Sequence, residues 1–214
     1  MPGQLSALAP LRAAGAEVVV VDGGSRDGTA GAAHGGADRV IESDRGRARQ
    51  MNAGAAAARG GVLLFLHADT RLPAGADSTV MAAVDAGAGW GFFGLAIAGR
   101  HPLLPLVAAL ASARSRVTRI ATGDQALFVT RRLFERAGGF PDIALMEDLA
   151  LCRRLRRLAA PARLKPRVTT SGRRWESGGL VRTVLLMWRL RLLYDLGVAP
   201  ERLARRYADV RDPH

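Results

Sequence analysis

Apolar positions in this chain come in short unbroken runs that stop at acidic tips. Val18 to Val21 runs into Asp22-Gly23-Gly24-Ser25-Arg26-Asp27-Gly28-Thr29, and Val62 to Leu66 runs into His67-Ala68-Asp69-Thr70. Runs of this length, separated by a helical stretch, are the pattern of parallel strands covered on both faces. In an open parallel sheet the ligand crevice lies at the carboxyl ends of the strands. Asp22 and Asp69 are therefore expected on one edge of one sheet.

The same reading predicts a helix over Leu5 to Ala14, a strand over Glu17 to Val21, a helix over Gly28 to His34 and a brief strand over Arg39 to Ile41. An alanine-rich helix over Gly46 to Arg59 then stops at Gly60-Gly61 and feeds the strand that ends near Asp69. This is the grammar of βαβ units. Beyond Pro73 come a helix to about Ala86, a strand over Trp90 to Ala98 whose glycines mark bulges, and a helix over Leu103 to Val117. Gly123-Asp124-Gln125 is a loop entering a strand that reaches Thr130, and a short helix and the Gly138-Gly139-Phe140-Pro141 turn follow. Glu147 to Leu158 is a helix with Leu151, Cys152, Leu155 and Leu158 on one face. A last strand is expected at Arg167 to Thr170 and an apolar helix at Leu180 to Leu196. The expected organisation is one domain over 1–214, with 178–214 a helical appendage.

Composition narrows the class. With 214 residues and 49% hydrophobic content the chain can bury a core and is not disordered. A formal charge of +12 attracts polyanions, whether nucleic acid, anionic lipid or a diphosphate. Few aromatics and no stacking motif argue against single-strand binding, and no nucleic-acid partner is expected. The single Cys152 excludes an intrachain disulfide and fits a reducing cytoplasm. No cationic leader and no long apolar span is read, so a cytoplasmic protein is expected. Arg182 and Arg189 form a narrow stripe on the last apolar helix, which suits packing against the sheet or lying on an anionic membrane. Packing is the expectation, with peripheral contact at the inner face of the membrane through 180–196 as its rival.

Several segments offer chemistry. A carboxylate at a strand end, as at Asp69, can hold a hard divalent cation, though acidic turn residues are common. Asp22 and its glycine-rich loop suit a nucleotide, while capping alone accounts for Ser25, Asp27 and Gly28. Glu147 and Asp148 open a helix, where acidic residues are favoured in any case, and either could instead take a proton from an acceptor hydroxyl. Arg173-Arg174-Trp175 offers fork-shaped donors beside an aromatic plane, or a solvated basic loop. Arg45, Arg47 and Arg49 near Asn52 carry the same ambiguity. The four histidines and Cys152 show no zinc-like spacing.

Taken together, these segments resemble the inverting nucleotide-sugar transferases of glycosyltransferase family 2, in particular its arsenosugar-biosynthesis-like subgroup. The Val-Val-Val-Asp22-Gly-Gly-Ser-Arg-Asp27-Gly-Thr stretch is similar to the family's nucleotide loop, and Gly46-Arg-Ala-Arg-Gln-Met-Asn52-Ala-Gly54 to the helix that follows. Phe65-Leu-His67-Ala-Asp69-Thr resembles the Asp-x-Asp metal motif, and Gly123-Asp124-Gln125, Gly138-Gly-Phe-Pro141 and Met146-Glu147-Asp148 complete the family's order.

The resemblance implies a GT-A fold, a three-layer α/β/α sandwich around a mostly parallel mixed sheet. It also implies transfer of a sugar from a UDP- or GDP-sugar to the hydroxyl of a small-molecule or lipid acceptor, with inversion. Asp148, beside Glu147, would be the base and Asp69 a ligand of Mg²⁺ or Mn²⁺. Asp22, Gly23, Ser25, Asp27, Arg47, Asn52, Ala68, Gly123, Asp124, Arg173, Arg174 and Trp175 would line the donor. Two departures shape the expectation. His67 stands where a first metal-motif carboxylate is usual, leaving Asp69 as the lone side-chain ligand. The family's usual opening strand with its Pro-x-x-Asn-Glu segment does not precede Leu5, so the sheet is expected to lack that strand and the coding sequence to extend upstream. The competing expectation is a non-catalytic nucleotide- or polyanion-binding module, a degenerate transferase.

Overall fold

The computed structural model describes residues 2–25 and 28–211. The expected first helix is two, α1 (Pro2–Ser6) and α2 (Ala9–Ala13), because Pro10 belongs in a first helical turn and restarts the helix there. β1 (Val19–Asp22), α3 (Thr29–Ala33) and β2 (Arg39–Glu42) form a parallel unit in which Asp22 stands opposite Glu42. α4 (Arg47–Ala57) leads into β3 (Val62–Phe65), β4 (Thr70–Arg71), α5 (Ala76–Asp85), β5 (Trp90–Ala98) and α6 (Leu104–Thr118). A 3₁₀ turn at Gly123–Gln125 precedes β6 (Leu127–Thr130), α7 (Arg131–Arg136), α8 (Glu147–Leu158) and β7 (Ala162–Ser171). The chain ends in α9 (Arg173–Gly178), α10 (Leu180–Asp195) and α11 (Pro200–Arg211).

The larger sheet has the order β3, β6, β5, β7, β4 and is mixed. β5 and β7 pair in parallel, whereas β6 lies antiparallel between β3 and β5, and β4 antiparallel beside β7. Three of its five strands thus run one way, with β6 and β4 against them. Residues alternate across it: Trp90 and Phe92 of β5 and Leu127 and Val129 of β6 enter one core cluster, Phe93, Leu95, Ile97 and Phe128 the other. α4, α7 and α8 cover the first face and α5 and α6 the second, which makes the three layers. β7 begins five residues earlier than its sequence pattern predicts. The register jumps from Phe93–Leu164 to Gly94–Arg167, so Lys165-Pro166 bulges out where a proline has no N–H to give the ladder.

One expectation is corrected. Asp22 and Asp69 do not share one sheet, for no ladder joins β1 to β3 among the described residues. Instead α4 spans the seam. Gln50 Nε2 on α4 donates to the Val21 carbonyl at 3.2 Å, and Gly54 lets the Val21 side chain come so near that a Cβ would stand 3.0 Å from it. Ala48 and Ala55 of the same helix are buried in the cluster that holds Leu63 of β3. The apolar runs identify strands correctly but carry no information on which strands are neighbours.

Candidate active site

The end of β3 is fixed by an aromatic trio. Phe65 meets Phe140 edge-on at 4.8 Å between centroids and Phe134 at 5.3 Å, and Phe134 lies 5.8 Å from Phe140. The chain then leaves the core in a turn closed by the Thr70 N–H on the His67 carbonyl at 3.0 Å. His67, the exposed Ala68 and the exposed Asp69 sit on that turn.

A second turn faces it. Gln125 is fully buried, and its side chain accepts from the Ser115 hydroxyl at 2.7 Å and the Thr122 N–H at 3.2 Å while donating to the Phe93 carbonyl at 3.1 Å. These bonds lock the Gly123–Gln125 turn onto the sheet and present Asp124. Its carboxylate lies 3.2 Å from His67 Nδ1. One ligand atom each from His67, Asp69 and Asp124 lies within 4.8 Å of the others. One imidazole nitrogen and two carboxylates so gathered are a donor set that fits a divalent cation. Asp69, expected as the lone side-chain ligand, has Asp124, expected at the donor, and His67 gathered beside it, so that all three could reach one ion. The signal for His67 was its place two residues before Asp69 in the motif, since imidazole is itself a ligand. Gly123 is what the closeness requires, for a Cβ there would overlap the imidazole ring.

Asp148 lies on the other side of Gly123. It accepts from the Gly123 N–H at 2.7 Å and, at the helix start, from the Leu149 N–H at 2.7 Å. Burial raises its carboxyl above the ordinary carboxylate value, against the pull of those two N–H groups. Burial also raises Glu147, helped by the neighbouring Asp148 charge, and Glu147 faces the half-exposed Arg47 at 3.9 Å. For His67, burial pulls downward, but the hydrogen bond and charge of Asp124 outweigh it and the net shift is upward. His67, Gly123, Asp148 and Cys152 line one pocket with Met51 of α4, and burial pushes the Cys152 thiol up to about 12. Two of the three non-glycine residues with positive φ among those described, Ala126 and Met146, sit directly beside these turns.

The remaining expected residues fall in two groups. Asp22 is buried, accepts from the Ser25 N–H at 3.0 Å and precedes Gly23, which packs on Gln50, so α4 carries that loop beside Arg47. Asp27 lies outside the described residues. The amide of Asn52 donates to the Phe140 carbonyl at 2.8 Å and accepts from the Phe140 N–H at 3.0 Å, a clamp on the Gly-Gly-Phe-Pro turn. The segment after β7 comes to Asp69 across a hundred residues: Thr70 pairs with Thr170, and the Ser171 N–H donates to the Asp69 carbonyl at 3.1 Å. Arg173 is exposed there and bonds Ser171 Oγ at 3.3 Å, while Trp175 packs against the second core cluster. The side chain of Arg174 lies outside the described set.

Residues 6–90 match the sequence model of the family described as Glycosyl transferase family 2. Among solved structures, S. aureus TarS 1-349 is similar with a TM-score of 0.56 and 18% identity, over 73% of this chain and 51% of that one. A mannosyltransferase, PcManGT from Pyrobaculum calidifontis in complex with GDP-Man and Mn2+, gives 0.53 and 24%, over 91% of this chain and 60% of its own. A mycobacterial protein gives 0.51 and 21%, over 79% and 60%. No curated protein matches. The fold is therefore GT-A, and the chain spans between half and three fifths of the length of these structures.

Proposed function

We propose that the protein is a family 2 glycosyltransferase, moving a sugar from a nucleoside diphosphate donor to an acceptor hydroxyl with inversion. The observation that carries this reading is the convergence of His67, Asp69 and Asp124 with Asp148 around Gly123, in a fold shared with a mannosyltransferase solved in complex with GDP-Man and Mn2+. Asp148 would take the proton of the acceptor hydroxyl as its oxygen bonds to the anomeric carbon and the diphosphate departs. A carboxylate with a raised pKa is suited to that task. Arg47, half exposed beside Glu147, and Arg173 beyond β7 supply positive charge where the leaving group gathers negative charge. His67, Asp69 and Asp124 would hold Mg²⁺ or Mn²⁺, which neutralises charge on diphosphate oxygens when bound.

One observation favours the non-catalytic reading: both Asp148 oxygens already accept backbone N–H groups, as a purely structural cap would. The substitution Asp148→Asn separates the two. As base, it should lower transfer by about 100- to 10,000-fold while UDP- or GDP-sugar affinity by calorimetry stays within a few-fold. Loss of donor affinity in parallel with turnover would make Asp148 structural. Asp69→Asn should abolish the increase in nucleotide affinity that Mn²⁺ confers, and an unchanged response to the metal would remove Asp69 from the metal group.

A further inference from the structure

α10 has two apolar faces, and only one has a partner among the described residues. Its inner face carries Leu190, Leu186 and Met187, packed against Leu203 and Tyr207 of α11 and against Leu145 and Met146 just before α8. On the opposite side Val181, Leu185, Trp188, Leu192 and Leu196 are 60–72% exposed. At 100° per residue these five fall within one narrow arc, and they extend over about 22 Å of helix. An apolar row of that length in open solvent, on a helix already docked by its other side, marks an interaction surface.

The charge around the row identifies what it meets. Arg182 and Arg189 are exposed along one border of the stripe, and neither has an ion pair among the described residues. The one carboxylate of α10, Asp195, is taken by Arg153 of α8. A second copy of the chain would bring the same unpaired arginines, and a net charge of +12, against themselves. A bilayer with anionic headgroups meets both features at once: the row enters the acyl boundary while the arginines extend to phosphate oxygens. No described helix is long and apolar enough to cross a membrane, so α10 would lie in the interface plane. We infer that the outer face of α10 docks the protein onto an anionic lipid bilayer. Docked there, the helix would carry on its inner face Leu145 and Met146, the residues that lead into α8. This inference is independent of the transferase reading, since it concerns a face outside the pocket and is tested without turnover.

The test is flotation of the full chain with vesicles of phosphatidylcholine, with and without phosphatidylglycerol. The chain should float with the anionic vesicles and not with the neutral ones. Leu185→Ser with Trp188→Ser should weaken partitioning by about a hundredfold, and Arg182→Gln with Arg189→Gln by about tenfold. These side chains are exposed, and circular dichroism checks that the variants keep the native helix content. A readout on the unaltered chain is tryptophan emission, which should shift to the blue on anionic vesicles as Trp188 leaves water, while Trp90 is already buried and Trp175 packs on the second core cluster; Trp188→Phe should remove the shift. A chain that stays soluble with anionic vesicles at low salt would overturn the inference. So would flotation indifferent to the Leu185 and Trp188 changes, or sedimentation showing that those changes dissolve a dimer instead.

Discussion

A histidine in the acidic triplet alters what a cation would find at the end of β3. His67 can join a metal group only because residue 123 has no side chain, and Asp124 is aimed at the imidazole by a buried glutamine one residue on. The smallest perturbation that tests this adds one methyl group. Gly123→Ala should push the imidazole out of line and lower Mn²⁺ affinity by about 10- to 100-fold, as loss of a supporting contact at a metal site does. Calorimetric titration with Mn²⁺ alone reads the effect without any sugar donor, and a native affinity in the variant would mean that the imidazole is not a ligand. Because the set includes a nitrogen, Mn²⁺ should also bind more tightly than Mg²⁺, which prefers an all-oxygen shell with retained waters.

At the scale of elements, the site is made by turns that helices hold in place. Asn52 illustrates it. The sequence places it among donor-binding residues beside Arg47, yet the structure engages both ends of its amide with the Phe140 backbone, and Phe140 in turn packs on Phe65 at the head of the His67–Asp69 turn. Asn52→Ala should therefore cost about 1–3 kcal/mol in urea unfolding, from two lost hydrogen bonds and a partly buried N–H and carbonyl left behind. A change below about 0.5 kcal/mol would show that water replaces the amide. This is also where sequence reading reached its limit. β5 and β6 were legible because both faces of each are buried and the apolar run is continuous. β7 was legible only at its C-terminal half, since Arg163, Lys165 and Pro166 break the apolar run where the strand lies exposed and bulged. The meeting of His67 with Asp124 spans 57 residues, and that of Thr70 with Thr170 a hundred, and no local periodicity encodes contacts at such separations. What did carry the site across that gap was the order of short motifs, which located the pieces without their pairing.

Across the whole molecule, the two sheets are held by different forces. No residue of β1 or β2 belongs to any of the three core clusters, whereas β5 and β6 contribute to two of them. The β1–β2 unit is fastened instead by α4 and by polar ties: Asp38 accepts from Arg12 of α2 and from the Val18 N–H, and Glu17 accepts from the Arg59 N–H and guanidinium at the end of α4. A two-stranded sheet is marginal without such support. The hydrogen bonds and charge of Arg12 and the Val18 N–H hold Asp38 at about 2 against its ordinary 3.8, and the Arg59 N–H and guanidinium lower Glu17 from 4.5. Both folded values are depressed, so both carboxylates contribute stability that is complete above their unfolded values and fades as pH falls from about 4.5 toward about 2. Acid should therefore loosen the Asp22-bearing layer before the larger sheet. Hydrogen exchange followed by mass spectrometry is the check, comparing peptides over 19–22 and 39–42 with peptides over 90–98 and 127–130. Near neutrality the first pair should already exchange at least about tenfold faster, since local opening is governed by buried apolar contacts. Between pH 4.5 and 3, after correction for intrinsic exchange, its protection should fall further while that of β5 and β6 holds. Equal protection of the two layers through that range would mean that α4 and the β1–β2 unit open only with the whole fold.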